Sequence, residues 1–152
     1  MDGRGPQRLL AVASSGGHWV QLRRLTPAFE DHDVAYLTTD AGHRSEVGAA
    51  RFHVVNDANR GNKCALVLCA AQVLWVLLRE RPTVVISTGA APGYLAIRLA
   101  RMMGARTAWI DSVANVDELS MSGRMASETA DLCLTQWPHL ASGRIHYLGA
   151  VL

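Results

Sequence analysis

Short runs of β-branched and bulky apolar residues, spaced by longer stretches of helical character, constrain this chain more than any other feature. The runs are Leu9–Ala13, Val34–Thr38, Phe52–Val55, Val84–Ser87, Thr107–Ile110, Leu132–Thr135 and Ile145–Leu148. Most lack polar alternation, as strands do when both faces of their sheet are covered. The segments Trp19–Phe29, Lys63–Arg79, Gly93–Met103 and Met121–Thr129 read as helices between them. Pro92 stands where a first-turn proline is tolerated, and Gly104 suits a helix C-cap. Strands alternating with helices predict a parallel α/β sheet. No repeat or linker interrupts the pattern, so residues 1–152 are expected to form one doubly wound, Rossmann-like domain.

Composition narrows the function classes. Hydrophobic residues at 49% and charged residues at 18% exclude a disordered chain. A net charge of only +2 gives no field that would favour nucleic acid. Cys64, Cys69 and Cys133 lack metal-ligand spacing and fit reduced thiols in a cytoplasmic protein. The six histidines are scattered, so no metal site is expected. Met1 to Arg8 is polar and glycine-rich, which predicts neither a signal peptide nor an N-terminal membrane anchor.

In an open α/β sheet ligands bind outside the carboxyl ends of the strands, where the strand order reverses. With a 3-2-1-4-5 order, the loops after the first and fourth strands meet there. The first is Ser14-Ser15-Gly16-Gly17-His18. Its glycines allow a tight turn, and the helix that follows offers free N–H groups to an anion such as a diphosphate. It lacks the Lys-Ser/Thr of a Walker A loop and the third glycine of a GxGxxG fingerprint. The plain alternative is a βα turn that binds nothing. His18, at a helix N-terminus, is held neutral by the dipole, and is read as a base, a phosphate contact or a brace for the loop.

The second loop is Ser87-Thr88-Gly89-Ala90-Ala91-Pro92-Gly93, whose small residues leave room for a ligand beside the Thr88 hydroxyl. Its alternative is an ordinary crossover turn. A third segment, Asp111-Ser112-Val113-Ala114-Asn115, follows a strand, where a carboxylate is placed to accept a proton or bind hydroxyls. Ser112 is read as a turn cap and Asp111 as functional.

Together with Ser120-Met121-Ser122-Gly123-Arg124, Ala130-Asp131 and Gln136-Trp137-Pro138, these loops resemble the acceptor-side subunit of bipartite GT-B glycosyltransferases. These are bacterial exopolysaccharide proteins and their eukaryotic relatives in dolichol-linked oligosaccharide synthesis. The first two loops also resemble the N-terminal domain of the enzyme that adds N-acetylglucosamine to lipid I. The resemblance spans Leu9 to Gly149. It implies a GT-B N-terminal domain that binds a polyprenyl-diphosphate-linked saccharide acceptor on the inner face of the cell membrane. A separate donor-binding subunit would carry the UDP-sugar, and transfer would proceed with inversion, without metal or cofactor. The chain's end soon after Gly149, where a full GT-B enzyme enters its second domain, fits that division. On the same resemblance His18 and Asp111 are the catalytic candidates. Ser15, Gly16, Gly17, Thr88, Gly89 and Asn115 are the substrate-binding candidates. Many relatives carry Glu where Asp111 stands and Arg close to Asn115, which points to a subgroup with altered substrate choice.

The stretch Cys64 to Leu78 is apolar on nearly every face. As a helix it would run about 22 Å, short of a hydrocarbon core of roughly 30 Å, so it should not span a bilayer. One face belongs on the sheet. The other meets a partner subunit, a membrane surface through Arg60, Lys63, Arg79 and Arg81, or further core. Peripheral membrane contact is the expectation preferred here. Two other functions compete: a non-catalytic scaffold that recruits a catalytic partner to the membrane, and a stand-alone dinucleotide-binding oxidoreductase, for which Asp40 is the one candidate ribose ligand.

Overall fold

The computed structural model describes residues 5–59 and 61–151. Arg60, expected among the lipid-facing cations, and the first four residues lie outside them. The strands are β1 (Arg8–Val12), β2 (Asp33–Thr38), β3 (Arg51–Val54), β4 (Val84–Ser87), β5 (Arg106–Ile110), β6 (Leu132–Thr135) and β7 (Ile145–Tyr147). They form one sheet in the order β3-β2-β1-β4-β5-β6-β7, and every pairing is parallel. The helices are α1 (Gly17–Arg24), α2 (Lys63–Glu80), α3 (Ala90–Met102) and α4 (Met121–Ser127).

Successive side chains on a strand point to opposite faces, and β1 shows this directly. Leu10 and Val12 pack with Val73 and Leu77 of α2 and Ile97 of α3. Leu9 and Ala11 pack with Trp19, Leu22, Phe29 and Tyr36 on the other side. All the β1 positions from Leu9 to Val12 are buried, which is why the run reads as continuous apolar sequence.

Three of the four helices differ from expectation by two residues or more at an end. The stretch Trp19–Phe29 is not one helix: α1 ends at Arg24, and a 3-10 helix follows over Thr26–Phe29. Pro27 has no N–H to give the carbonyl of Arg23 and its ring crowds that carbonyl, so the α-helix stops ahead of it. The α3 helix starts earlier than Gly93, at Ala90, with Pro92 still inside the first turn where no N–H is missed. The α4 helix stops at Ser127, short of Thr129. At α2, Asn62 accepts from the Ala65 amide at 3.0 Å, and Arg81, at φ 47°, ends the helix ahead of Pro82.

The α2 helix turns Cys69, Val73, Val76 and Leu77 onto the sheet. Val67, Leu74, Trp75 and Leu78 remain exposed, at 69, 38, 56 and 57%. In this chain α2 is therefore not a fully buried core helix. At its end Glu80 accepts from Arg51 Nε at 2.7 Å and pairs with His53 Nε2 at 2.6 Å, pinning the edge strand β3. Among the described residues no helix is long and apolar enough to cross a membrane.

Candidate functional site

The order of strands reverses between β1 and β4. Val12 pairs with Ser87, and the Thr88 amide donates to the Val12 carbonyl at 3.2 Å. The loop 13–18 and the loop 87–91 are thus neighbours at the carboxyl end of the sheet. Each leads straight into a helix, and neither helix N-terminus has a side-chain cap. The first-turn N–H groups of α1 and α3 are left for other acceptors.

Two glycines shape this crevice. Gly16, the N-cap of α1, has φ 68° and ψ −137°, a conformation that side chains other than glycine rarely adopt. A Cβ on Gly16 or Gly17 would meet nothing within 4 Å, so the space above the loop is open. Gly89 has φ 146°, and Ala90 after it takes φ 67°, a strained value for a residue with a side chain. A Cβ on Gly89 would overlap His18 Cδ2 and approach Nε2 to 2.6 Å. The imidazole therefore lies on Gly89.

His18 is held from three sides. Its Nδ1 is 2.9 Å from Ser14 Oγ, its carbonyl accepts from Thr88 Oγ1 at 2.7 Å, and Gly89 carries the ring. Burial lowers its pKa from the ordinary imidazole value, and the negative charge of Asp111 opposes the shift. Burial thus favours the neutral ring. Thr88 is fully buried and its hydroxyl is spent on His18, so it braces the loop from within. Ser15 is exposed, and its amide donates to Thr39 Oγ1 at 3.1 Å.

Asp111 sits just after β5 and is 1% exposed. Oδ1 accepts from Trp109 Nε1 at 3.0 Å and Ser120 Oγ at 2.6 Å. Oδ2 accepts from Asn115 Nδ2 and the Ser120 amide, both at 2.9 Å. With two donors on each oxygen, this carboxylate closes the loop 112–119 on itself and carries the N-terminus of α4. A Cβ on Gly123 would overlap Asp111 Oδ1, which ties that glycine to the same clasp. Asn115, read as a substrate contact, has its amide nitrogen on Asp111.

The structure adds two residues that the sequence reading did not single out as site residues. Gln21 and Gln136 are 5% and 4% exposed. Gln136 Nε2 donates to Gln21 Oε1 at 2.6 Å and to the Asp111 carbonyl at 2.9 Å. Gln21 Nε2 donates to Ser112 Oγ at 3.0 Å, and Gln136 Oε1 accepts from the Val151 amide at 2.7 Å. Trp137 Nε1 adds a bond to the Val113 carbonyl at 2.8 Å. The signal was the polar pair Gln136-Trp137 directly after a strand, in the position where Asp111 had already drawn attention.

A parallel seven-stranded sheet with glycine turns at its switch point is the architecture of the N-terminal half of GT-B glycosyltransferases. MurG of Acinetobacter baumannii superposes with a TM-score of 0.73 at 16% identity, over 93% of this chain and 45% of MurG. The UDP-N-acetylglucosamine 2-epimerase of Rickettsia bellii gives 0.68 at 14% identity, over 94% and 44%. The chain thus spans about half the length of these solved structures. Residues 61–151 match the family described as "Oligosaccharide biosynthesis protein Alg14 like". The chain belongs to that family. It is also 27% identical over 185 residues to the "UDP-N-acetylglucosamine transferase subunit ALG14" of Eremothecium gossypii, covering 99% of this chain and 83% of that protein.

Proposed function

We propose that this chain is the acceptor-binding subunit of a two-component inverting glycosyltransferase in polysaccharide biosynthesis. It takes a polyprenyl-diphosphate-linked saccharide as acceptor, and a separate subunit brings the UDP-sugar. The observation that carries this reading is the crevice between β1 and β4. Two helix N-termini without side-chain caps meet there, the space above Gly16 and Gly17 is open, and the half-buried His18 imidazole lies over the start of α3. That combination suits a diphosphate and a hydroxyl that must lose a proton. The subunit name of the Eremothecium relative supports both the donor class and the need for a companion.

In this mechanism the amides of Gly16 and Gly17 and the first turn of α3 hold the acceptor diphosphate, with Ser15 at its edge. His18 Nε2 takes the proton of the acceptor hydroxyl as that oxygen attacks the anomeric carbon. Asp111 acts through structure, keeping the loop 112–119 and Asn115 in place beside the crevice. No cofactor is needed, since the diphosphate of the donor is itself the leaving group.

The exposed face of α2 supports contact with the inner face of the cell membrane. Trp75 and Leu78 lie next to Arg79, whose guanidinium sits 5.4 Å from the Trp75 ring, and Lys63 and Arg81 flank the helix. The one carboxylate of α2, Glu80, is already engaged by Arg51 and His53. Apolar surface rimmed by cations that form no ion pair among the described residues complements an anionic lipid surface.

The test is reconstitution. The chain purified from its host membranes is expected to bring a small donor-binding protein with it, and the pair to transfer sugar from a UDP-sugar to a polyprenyl-diphosphate saccharide. The chain alone is expected to be inactive, and the pair with His18→Ala to lose at least a hundredfold in kcat. Full transfer by the chain alone, or a His18→Ala pair as fast as the parent, would sink the proposal.

A further inference from the structure

The neutral imidazole of His18 has two tautomers, and only one leaves Nε2 free to take a proton. Ser14, four residues earlier and 8% exposed, is placed to decide between them. Its Oγ lies 2.9 Å from His18 Nδ1 and 3.4 Å from the carbonyl oxygen of Ser15. A hydroxyl has one proton. If it donates to the Ser15 carbonyl, it accepts from Nδ1–H, and both ends are used. If instead it donates to Nδ1, the ring carries its proton on Nε2, over Gly89 and toward the open crevice, and the hydroxyl no longer reaches the Ser15 carbonyl. The first arrangement makes two hydrogen bonds within the loop and the second makes one, so the first is favoured.

We propose that Ser14 is a positioning residue for sugar transfer: it holds His18 as the Nδ1–H tautomer, so that Nε2 faces the acceptor with its lone pair free. This rests on reading the crevice as the transfer site. In the step it serves, the acceptor oxygen bonds to the anomeric carbon, and the bond from that carbon to the UDP oxygen breaks. UDP leaves with the electron pair. The hydroxyl proton passes to His18 Nε2 and from there to water. The Thr88 hydroxyl on the His18 carbonyl and Gly89 under the ring fix the orientation that Ser14 completes. The loops 14–18 and 87–91 hold no other titratable side chain, and Asp111 is the charged group whose field reaches the ring.

The test reads tautomer and turnover separately. In the full chain, the ¹⁵N shifts of His18 are expected to report a protonated Nδ1. Ser14→Ala should move the ring toward the Nε2–H form, and Ser14→Thr, which keeps a hydroxyl, should not. In the complex with the donor-binding subunit, Ser14→Ala should lower kcat about tenfold to a hundredfold with little change in KM. Its acid limb should move to lower pH, because the imidazolium loses an acceptor for Nδ1–H. Ser14→Thr should restore both. A parent ring protonated on Nε2, or a ring unmoved by Ser14→Ala, overturns the role of Ser14 and leaves the crevice reading standing. A ring that switches while kcat is unchanged overturns the role of His18 as proton acceptor, and the crevice reading with it.

Discussion

At the scale of single residues, the site divides into groups that meet solvent and groups that hold them. Asp111 belongs to the second kind. Replacing it with Asn puts an NH2 against a shell of donors from Trp109, Asn115 and Ser120. Loss of those bonds is expected to cost about 2–4 kcal/mol, readable as a lower midpoint in urea denaturation. An unchanged midpoint would show that the clasp is dispensable. Gly89→Ala should act on activity more than on stability, since the new methyl displaces the His18 ring. His18 also links stability to pH. Burial lowers its folded pKa, so below the ordinary imidazole value of about 6.5 the unfolded chain binds the extra proton first. The stability tied to the neutral ring is present above that pH and is lost as pH falls toward the folded pKa. Thermal melts of His18→Gln should show a flatter acid dependence than the parent. The two buried thiols take no part: burial pushes Cys69 up to about 11 and Cys133 up to about 12, so both stay protonated.

At the scale of elements, α2 carries two apolar faces, and only one is used by the fold. The buried stripe of Cys69, Val73, Val76 and Leu77 has the spacing of a helix on a sheet. The second face stays largely exposed, so its substitution should disturb the fold little. Trp75→Ser with Leu78→Ser is expected to change stability by no more than about 0.5 kcal/mol. The same pair of substitutions should weaken binding to vesicles of anionic lipid about tenfold or more, since each side chain contributes 1.5 kcal/mol or more when fully buried in an apolar phase. Flotation of the parent and variant with such vesicles measures it, and equal flotation would assign that face to something other than lipid.

At the scale of the whole molecule, the sheet order brings loops 14–18, 87–91 and 111–120 to one end, although they lie far apart along the chain. The Gln21–Gln136 pair then ties α1 to the segments after β5 and β6 and to Val151. Gln136→Leu removes bonds from Gln21, the Asp111 carbonyl and the Val151 amide together. It is expected to speed amide exchange at Val113 and Val151 without altering exchange in β1, which hydrogen-exchange measurements resolve.

What the sequence determined by itself was periodic or local. Strands buried on both faces announce themselves as apolar runs; all seven strands, the more exposed edges β3 and β7 included, were placed to within about a residue or two, and the parallel order followed from their alternation with helices. Gly16-Gly17-His18 and the small-residue loop before Pro92 could be read because turns need particular residues at particular places. The break at Pro27 was legible too, and was missed because the apolar pattern ran through it. Only the tertiary structure decided how the polar side chains are spent. Whether Thr88 faces a ligand or His18, and whether Asp111 is free or saturated, depends on partners that lie up to 70 residues away. Hydrogen bonds are short and directional, so partnership is settled by folded geometry and leaves no period in the sequence.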